Sequence, residues 1–311
     1  MSIRILATSP LVGPALSELG ARFPELRLAS FRSPEWNAVL SEAEALVVLL
    51  SDALTEAELD AAPRLKAIGT LSVGVNHLPV AGCRSRGITI VNTPDVLTDA
   101  TADLALALLL ALTRRVAEGE ALVRSNLWKG WEPDQLLGSS IAGKHCGILG
   151  SGPIGLAFAR RVWALGMTPL FWDREGRGGE VDFGVGRAPR LALPDLLRTS
   201  AILSIHCPLT DQTRHMLDRG ALSQLPEGAV IINTARGGIM DEDAAIDLLA
   251  AGRLGGVGLD VYEGEPRFNP RWLQAPRTVL LPHLGSATVE TREAMARLLC
   301  DGLAAALSTS R

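Results

Sequence analysis

The sequence predicts an α/β protein built on doubly wound parallel sheets, and three observations support that prediction. Short apolar runs alternate with amphipathic segments along the chain, which is the pattern of repeated βαβ units. A glycine-rich turn at 150–155 separates one apolar run from a segment of helix-forming residues. At 311 residues the chain is also long enough for two domains of ordinary size.

The first region, up to about residue 95, reads as a βαβα series. Its strand segments are apolar throughout rather than alternating, as expected for a parallel sheet covered on both faces. We expect strands at 3–7, 46–50, 65–69 and 88–91 and helices at 12–19, 34–40 and 55–61.

A long apolar helix around 104–112 begins the second region, and such a helix at a boundary indicates packing between domains or subunits. The segment 127–133 carries two tryptophans in polar surroundings, which favours an interface or a lid. Residues 175–190 are rich in glycine and arginine and predict a mobile surface loop. The remaining elements are helices at 156–165, 191–198 and 241–251 and strands ending at 149, 172, 206, 234, 261 and 281.

The composition indicates a soluble globular protein, because 47% of the residues are apolar and 21% are charged. A net charge of −4 without basic runs argues against nucleic acid as a partner. The longest apolar run is too short to span a membrane and the first residues carry no secretion signal, so we expect a cytoplasmic location and no membrane partner. The cysteines have no paired spacing, which predicts reduced thiols at Cys83, Cys146, Cys207 and Cys300.

Each position of the glycine-rich turn has a physical role if a dinucleotide binds there. Gly150 permits a tight turn out of the strand, Gly152 lets the backbone approach a pyrophosphate, and Gly155 allows close packing of helix on strand. Pro153 suits the first helical turn because its φ is fixed and it needs no partner for an N–H. The N–H groups at the helix start are then available to the phosphates.

Asp173 ends the next predicted strand, about 20 residues beyond the motif, where a carboxylate accepts hydrogen bonds from the adenosine ribose. Its charge would repel a 2′-phosphate, so NAD is the expected cofactor. Arg174 and Arg177 lie nearby and are suited to binding such a phosphate, which leaves NADP possible.

A turn of small residues at 72–74 follows the predicted strand 65–69 directly. The backbone N–H groups of Ser72, Val73 and Gly74 are placed to hold a carboxylate at the carboxyl end of that strand. An ordinary βα turn explains the same residues equally well.

Three residues at predicted strand ends form a set with complementary chemistry. Arg236 can grip a carboxylate with two parallel hydrogen bonds and polarise the adjacent carbonyl of a 2-keto acid. His283 can donate the proton that the carbonyl oxygen needs, and Glu265 can orient the imidazole and favour its charged form. A nicotinamide cofactor would carry the hydride.

The other histidines are less suited to catalysis. His206 precedes Cys207 and Pro208 and is expected to be packed by the cofactor, whereas His77, His145 and His215 favour surface roles. No spacing of histidines and carboxylates matches a metal site, and no serine lies in a nucleophile elbow.

At this point the chain resembles the D-isomer-specific 2-hydroxyacid dehydrogenases, and most closely their glyoxylate and hydroxypyruvate reductase branch. The motifs that carry the resemblance cover nearly the whole chain in order: SVGVNHLP at 72–79, NTPDVLTDATADLALALLLALTRR at 92–115, GILGSGPIG at 147–155, HCPLTDQTRH at 206–215, INTARGGIMDEDA at 232–244, GLDVYEGEP at 258–266 and PHLGSAT at 282–288.

The resemblance implies a catalytic Arg236, Glu265 and His283, with Ser72, Val73 and Gly74 holding the substrate. It implies two Rossmann-like or flavodoxin-like domains: a nucleotide-binding domain at 97–285, inserted in a substrate-binding domain formed by 1–96 and 286–311. It also implies domain closure around the ligand and a homodimer. The residues assigned to the cofactor on this basis are Gly150, Gly152, Pro153, Ile154, Gly155, Asp173, Arg174, His206, Cys207, Pro208, Thr213, Thr234, Ala235, Asp260 and Gly285.

The chain departs from the family pattern at Asn76 and Pro79, where relatives often have aspartate, so the turn after the carboxylate-binding residues is expected to differ in shape. The expected reaction is NAD(P)H-dependent reduction of a small 2-keto acid, glyoxylate or hydroxypyruvate, to the D-2-hydroxy acid. The alternatives are a bulkier substrate such as 2-ketogluconate, a dinucleotide-sensing binding protein, and a phosphite-type dehydrogenase on the same scaffold.

Overall fold

The computed structural model describes residues 4–174 and 178–308. The chain divides into two compact units, Met1–Leu97 with Ser286–Arg311, and Thr98–Gly285. The second unit is therefore an insertion in the first, and each unit has its own parallel sheet. The predicted fold class is confirmed.

The first unit is a five-stranded sheet in the order β2-β1-β3-β4-β5, with every neighbouring pair parallel. This is the flavodoxin-like order, which reverses between β1 and β3. Its elements are β1 Arg4–Ser9, α1 Pro14–Arg22, β2 Glu25–Ser30, α2 Pro34–Leu40, β3 Ala45–Val48, α3 Glu56–Ala61, β4 Ala67–Thr70, α4 Val80–Ser85, β5 Thr89–Val91 and α11 Val289–Ser308.

The helices cover both faces of this sheet, which explains why its central strands are apolar throughout. One face packs against α1 and α11, and the other buries Trp36 of α2 and Leu59 of α3. Gly69 in β4 leaves room for the side chain of Leu299, because a β-carbon at that glycine would lie 2.5 Å from it. Helix α11 thus packs on the sheet formed by strands β1–β5.

The strand β2 has no counterpart among the sequence-based predictions. It lies at the edge of the sheet, and Ala29 is its one fully buried residue. An edge strand covered on little of its surface needs no apolar run, so the pattern that identifies the central strands is missing there.

The second unit is a six-stranded parallel sheet in the order β13-β12-β11-β10-β6-β7. The order reverses between β6 and β10, which places a ligand-binding crevice beyond the end of β6. The elements are α5 Thr98–Thr113, α6 Val116–Arg124, β6 His145–Leu149, α7 Pro153–Ala164, β7 Thr168–Trp172, β8 Glu180–Asp182, β9 Arg187–Pro189, α8 Leu193–Thr199, β10 Ile202–Ile205, α9 Arg219–Leu222, β11 Ala229–Asn233, α10 Glu242–Ala250, β12 Leu254–Leu259 and β13 Thr278–Leu280, with 3₁₀ turns at Gly237–Ile239 and Pro270–Gln274.

One prediction for this unit needs correction. Residues 180–189 are not a plain loop, because β8 and β9 pair as an antiparallel hairpin and bury Phe183 against the core; residues 175–177 lie outside the described part. The apolar helix α5 packs within its own unit, where Leu108 and Leu112 lie against Gly258 and Gly256 of β12. The apolar residues of α5 that face the sheet thus belong to the core of this unit.

No helix in the described ranges is both long enough and apolar enough to cross a membrane.

A buried carboxylate in the first unit supports a stability prediction. Glu58 accepts hydrogen bonds from the Thr55 backbone N–H at 2.7 Å and from the Arg32 guanidinium at 2.6 Å. Burial alone would raise the pKa of Glu58, but these bonds outweigh it and lower the pKa from 4.5 to about 2. Because the folded-state pKa is depressed, the stabilisation is present above about pH 4.5 and is lost as pH falls toward 2.

We therefore expect Glu58→Gln to reduce the free energy of unfolding by about 2 kcal/mol at pH 7, allowing for the screening of the half-exposed Arg32 by solvent. Urea denaturation at pH 7 and pH 3 measures this, and the difference from wild type should fall by about half at the lower pH. Glu56→Gln on the same helix is the control: it removes an exposed pair with Arg86 and should cost less than about 0.5 kcal/mol. An equal loss at both pH values would contradict the expectation.

Candidate active site

The predicted catalytic residues lie at the carboxyl ends of three neighbouring strands of the second sheet. Arg236 follows β11, Glu265 follows β12 and His283 follows β13. His283 Nδ1 lies 2.7 Å from Glu265 Oε2, and the two side chains are 30% and 32% exposed. The pair is therefore only partly buried and remains open to a small molecule.

The hydrogen bond decides which imidazole nitrogen is available for chemistry. A carboxylate only accepts, so Nδ1 carries the hydrogen that it donates to Glu265, and Nε2 is the other nitrogen. Burial alone would raise the pKa of Glu265, but His283, the backbone N–H of Tyr262 and the charge of Arg236 hold that pKa below its usual range. Glu265 is accordingly an ionised partner that orients the imidazole.

The backbone of His283 is in the left-handed region, with φ 57°. Asp260, which is fully buried, accepts the N–H of Leu284 at 2.6 Å and that of Gly285 at 2.8 Å. Burial raises the pKa of Asp260, and the two N–H groups act in the opposite direction. These bonds hold the next two residues in place and so impose on His283 a conformation that costs energy in a non-glycine residue.

The turn that carries Arg236 is held by Asn233, a fully buried residue at the end of β11. Its side-chain oxygen accepts the Ala235 N–H and its amide donates to the Arg236 carbonyl, both at 3.0 Å. Gly237 then approaches the next loop so closely that a β-carbon there would lie 2.0 Å from the Tyr262 carbonyl carbon. Burial lowers the pKa of Arg236, and Glu265 opposes that effect. An arginine remains charged under these conditions.

The glycine-rich turn has the shape that a dinucleotide requires. Gly150 adopts φ 111° after β6, which only glycine adopts readily. A β-carbon on Gly155 would lie 2.1 Å from the Gly150 carbonyl, so helix α7 packs on the turn as expected. Gly152 caps α7 with nothing within 4 Å of a β-carbon placed on it, and Pro153 and Ile154 begin the helix. The open space at Gly152 leaves room for a ligand at the N-terminus of α7.

Asp173 directly follows β7, and its two oxygens differ in their surroundings. Oδ2 accepts the Ser151 hydroxyl at 3.0 Å and lies 2.7 Å from Arg190 Nε. Oδ1 is buried and has no hydrogen-bond partner in the described part of the chain. Such an acceptor fits a ribose hydroxyl. Arg174 is exposed beside it, and Arg177 lies outside the described residues.

The other residues predicted for the cofactor also lie beyond strand ends of this sheet. His206 Nδ1 and Thr234 Oγ1 are buried without a partner among the described residues, which suits polar groups that line a ligand site. Burial lowers the pKa of His206 to about 3, so its ring is neutral. The full set is His206, Cys207, Pro208 and Thr213 after β10, Thr234 and Ala235 after β11, Asp260 after β12 and Gly285 after β13.

In the first unit, the carbonyl groups of Ser72, Val73 and Gly74 all accept hydrogen bonds from within the protein. Thr93 N–H donates to the Ser72 carbonyl at 2.8 Å, Asn92 donates to the Val73 carbonyl at 2.9 Å, and the Ser72 hydroxyl donates to the Gly74 carbonyl at 2.8 Å. Among the described residues, no acceptor is found for the N–H groups of Val73 and Gly74. The turn can therefore offer donors to an anion.

His77 is partly exposed. Its Nε2 lies 3.0 Å from the hydroxyl of the buried Thr70. His145 is exposed and His215 pairs with Glu263 on the surface, as predicted.

Several supporting residues were missed from the sequence: Asn233, Ser151, Arg190 and Asn92. Asn233 is the last residue of an apolar strand and precedes Arg236 by three residues, so a buried amide there was a usable signal. For Ser151 and Arg190 the partner Asp173 is distant in sequence, and no local pattern marks the contact.

The open space at Gly152 leads to a prediction about cofactor binding. Gly152→Ala should fold with a melting temperature within a few degrees of wild type, because its φ is −75° and the β-carbon meets no protein atom. NADH affinity should fall about 10-fold or more, because the methyl group occupies space needed by a pyrophosphate. Fluorescence titration with NADH measures it. Gly20→Ala, an equally unhindered change in α1, should leave NADH affinity unchanged; unaltered binding by Gly152→Ala would place the pyrophosphate elsewhere.

Comparison with known proteins gives a consistent result. The family model for the D-isomer specific 2-hydroxyacid dehydrogenase, NAD binding domain, matches residues 106–285. A glyoxylate reductase of Thermococcus litoralis is 43% identical over 268 residues, which are 85% of this chain and 80% of that protein.

Solved structures agree with the sequence comparison. A protein of Thermus thermophilus is similar with a TM-score of 0.88 and 38% identity, covering 99% of this chain and 97% of the other. An NADPH-dependent glyoxylate/hydroxypyruvate reductase of Sinorhizobium meliloti, solved with NADP and malonate, has a TM-score of 0.88 and 32% identity, covering 99% and 95%. These similarities confirm the resemblance that the sequence motifs carry.

Proposed function

Because the chain belongs to the D-isomer specific 2-hydroxyacid dehydrogenases, we propose that it reduces small 2-keto acids, glyoxylate and hydroxypyruvate before others, to D-2-hydroxy acids with NADH or NADPH. The observation that carries the proposal is the His283–Glu265 pair at 2.7 Å, formed beside Arg236 at the edge of a nucleotide-binding sheet. The relatives named above give no support to a bulkier substrate, a sensor or phosphite oxidation.

In this mechanism the bound nicotinamide supplies the hydride, and the protein supplies position, charge and a proton. Arg236 binds the substrate carboxylate through two parallel hydrogen bonds and polarises the neighbouring carbonyl. His283 donates the proton from Nε2 to the carbonyl oxygen as negative charge develops there. Glu265, hydrogen-bonded to Nδ1, keeps the imidazole oriented with Nε2 toward the substrate in this proposal. In the reverse direction His283 accepts the proton of the hydroxyl group.

The two units divide the remaining work in this proposal. The unit Thr98–Gly285 binds the cofactor, with the pyrophosphate at Gly150–Gly155 and the adenosine ribose at Asp173. In the other unit, Ser72, Val73 and Gly74 bind the substrate carboxylate through their N–H groups, which face no internal acceptor in the described residues.

The test of the proposal is the loss of absorbance at 340 nm with NADH and with NADPH, against glyoxylate, hydroxypyruvate, pyruvate and 2-ketogluconate. We expect turnover of the two small acids at least about 10-fold faster than that of 2-ketogluconate. Binding of cofactor without turnover of any of these acids would contradict the proposal.

We further propose a cytoplasmic homodimer. All four cysteines are free and buried, which suits a reducing compartment. The surface of α6 and the following segment exposes apolar side chains, among them Val123, Leu127, Trp128 and the 81% exposed Trp131. A patch of this kind favours coverage by a second copy. Light scattering after size exclusion checks the assembly, and a monomer at micromolar concentration would contradict it.

A further inference from the structure

We propose that Arg190 determines how the protein distinguishes NADH from NADPH, by neutralising Asp173. The inference rests on the proposed function only in taking Asp173 to face the adenosine ribose. Arg190 would then be a specificity-determining residue in addition to the glycine motif at 150–155 and Asp173.

The backbone places Arg190 next to the strand that ends at Asp173. Arg190 follows β9 and forms a parallel bridge with Phe171 of β7, and the Leu191 N–H donates to the Phe171 carbonyl at 2.8 Å. Its Nε reaches Asp173 Oδ2 at 2.7 Å, and the two side chains are only 18% and 21% exposed. The pair is thus anchored at both ends and largely shielded from solvent, where charge interactions are less screened.

The contacts divide the Asp173 carboxylate into two functions. Oδ2 is engaged by Arg190 and by the Ser151 hydroxyl of the glycine turn. Oδ1 is buried and unpartnered within the described residues, so it is the atom left to accept a ribose hydroxyl. Arg190 therefore fixes the direction in which the carboxylate presents Oδ1.

The contact between Arg190 and Asp173 also changes the net charge beside the 2′ position of the adenosine ribose. A phosphate at that position carries a charge of about −2, and an unpaired carboxylate beside it would repel it strongly. With a guanidinium in contact, Asp173 and Arg190 are together close to neutral, so the repulsion is small. The pair keeps the acceptor that NADH uses and removes much of the penalty against NADPH.

The experiment measures dissociation constants of NADH and NADPH by fluorescence titration, without a keto acid, for wild type, Arg190→Met, Arg190→Lys and Asp173→Asn. For wild type we expect the ratio Kd(NADPH)/Kd(NADH) to be about 10 or less. Arg190→Met should raise this ratio by about 10-fold or more, mainly by weakening NADPH, because it leaves the carboxylate charge unpaired. Arg190→Lys keeps the charge and should stay within about threefold of wild type.

Asp173→Asn should shift the ratio toward NADPH, because it removes the negative charge beside the 2′ position while the guanidinium of Arg190 stays. An unchanged or lower ratio in Arg190→Met would overturn the proposal, as would a ratio in Arg190→Lys equal to that of Arg190→Met. If the thermal melt shows that Arg190→Met does not fold, Arg190→Lys and Asp173→Asn still decide the outcome. The ratio Kd(NADPH)/Kd(NADH) must then stay near the wild-type value in Arg190→Lys and fall below it in Asp173→Asn.

This test is independent of turnover. Ratios that follow the expectation in a protein that reduces no keto acid would remove the proposed reaction and retain the role of Arg190. If the protein reduces keto acids but the variants leave the ratio Kd(NADPH)/Kd(NADH) unchanged, the proposed reaction stands and the role of Arg190 is removed.

Discussion

Replacing His283 by alanine is expected to reduce turnover of the keto acid by about 10²- to 10⁴-fold, because the proton donor at Nε2 is lost. NADH affinity should stay within about threefold of wild type, since no described contact of His283 involves the glycine turn or Asp173. Steady-state kinetics together with a fluorescence titration separate the two effects.

The backbone of His283 calls for a matched variant. Its φ of 57° is a conformation that asparagine tolerates better than alanine. His283→Asn should therefore match wild type in thermal stability more closely than His283→Ala while being as inactive. If either variant kept near-normal turnover, His283 would not be the proton donor.

The second large effect is expected at Arg236. Arg236→Gln should lower kcat/KM by about 10³-fold, because a neutral amide neither grips a carboxylate bidentately nor stabilises charge on the carbonyl oxygen. The free energy of unfolding should change little or rise, since burial already disfavours the guanidinium charge. Kinetics over a wide range of glyoxylate concentration measure the loss.

Arg236→Lys serves as the control for charge alone. Lysine keeps the positive charge but lacks the planar fork, so we expect an activity between those of Gln and wild type. A lysine variant as active as wild type would show that Arg236 acts as a point charge and not as a bidentate ligand. A glutamine variant with unchanged kcat/KM would remove Arg236 from the site.

The sequence was most informative where the signal is local. Gly150, Gly152 and Gly155 could be interpreted because each needs a particular backbone within six residues, and the structure shows those conformations. The polar residues after the apolar strands could be gathered because parallel strands end at one edge of a sheet. His283 and Glu265 are in contact for that reason.

What escaped prediction depends on contacts between distant residues or on position in the sheet. The strand β2 was missed because an edge strand lacks an apolar run, and the hairpin β8–β9 because each strand has three residues. His77 could not be placed because its partner Thr70 is recognised only once the turn is folded. The contact of Arg190 with Asp173 depends on the same hairpin, so it could not be predicted once the hairpin was missed.

Gly237 joins the arginine turn to the loop that carries Glu265 through main-chain atoms, since a β-carbon there would meet both the Tyr262 carbonyl carbon and the Glu263 nitrogen. This main-chain contact therefore helps to fix the relative placement of Arg236 and Glu265, together with the side-chain bonds of Asn233. Mutations of other side chains that line the site can accumulate with little movement of these two groups. Substrate range can thus evolve separately from the reaction itself, and a laboratory search for new substrates should vary the surrounding side chains and leave position 237 untouched.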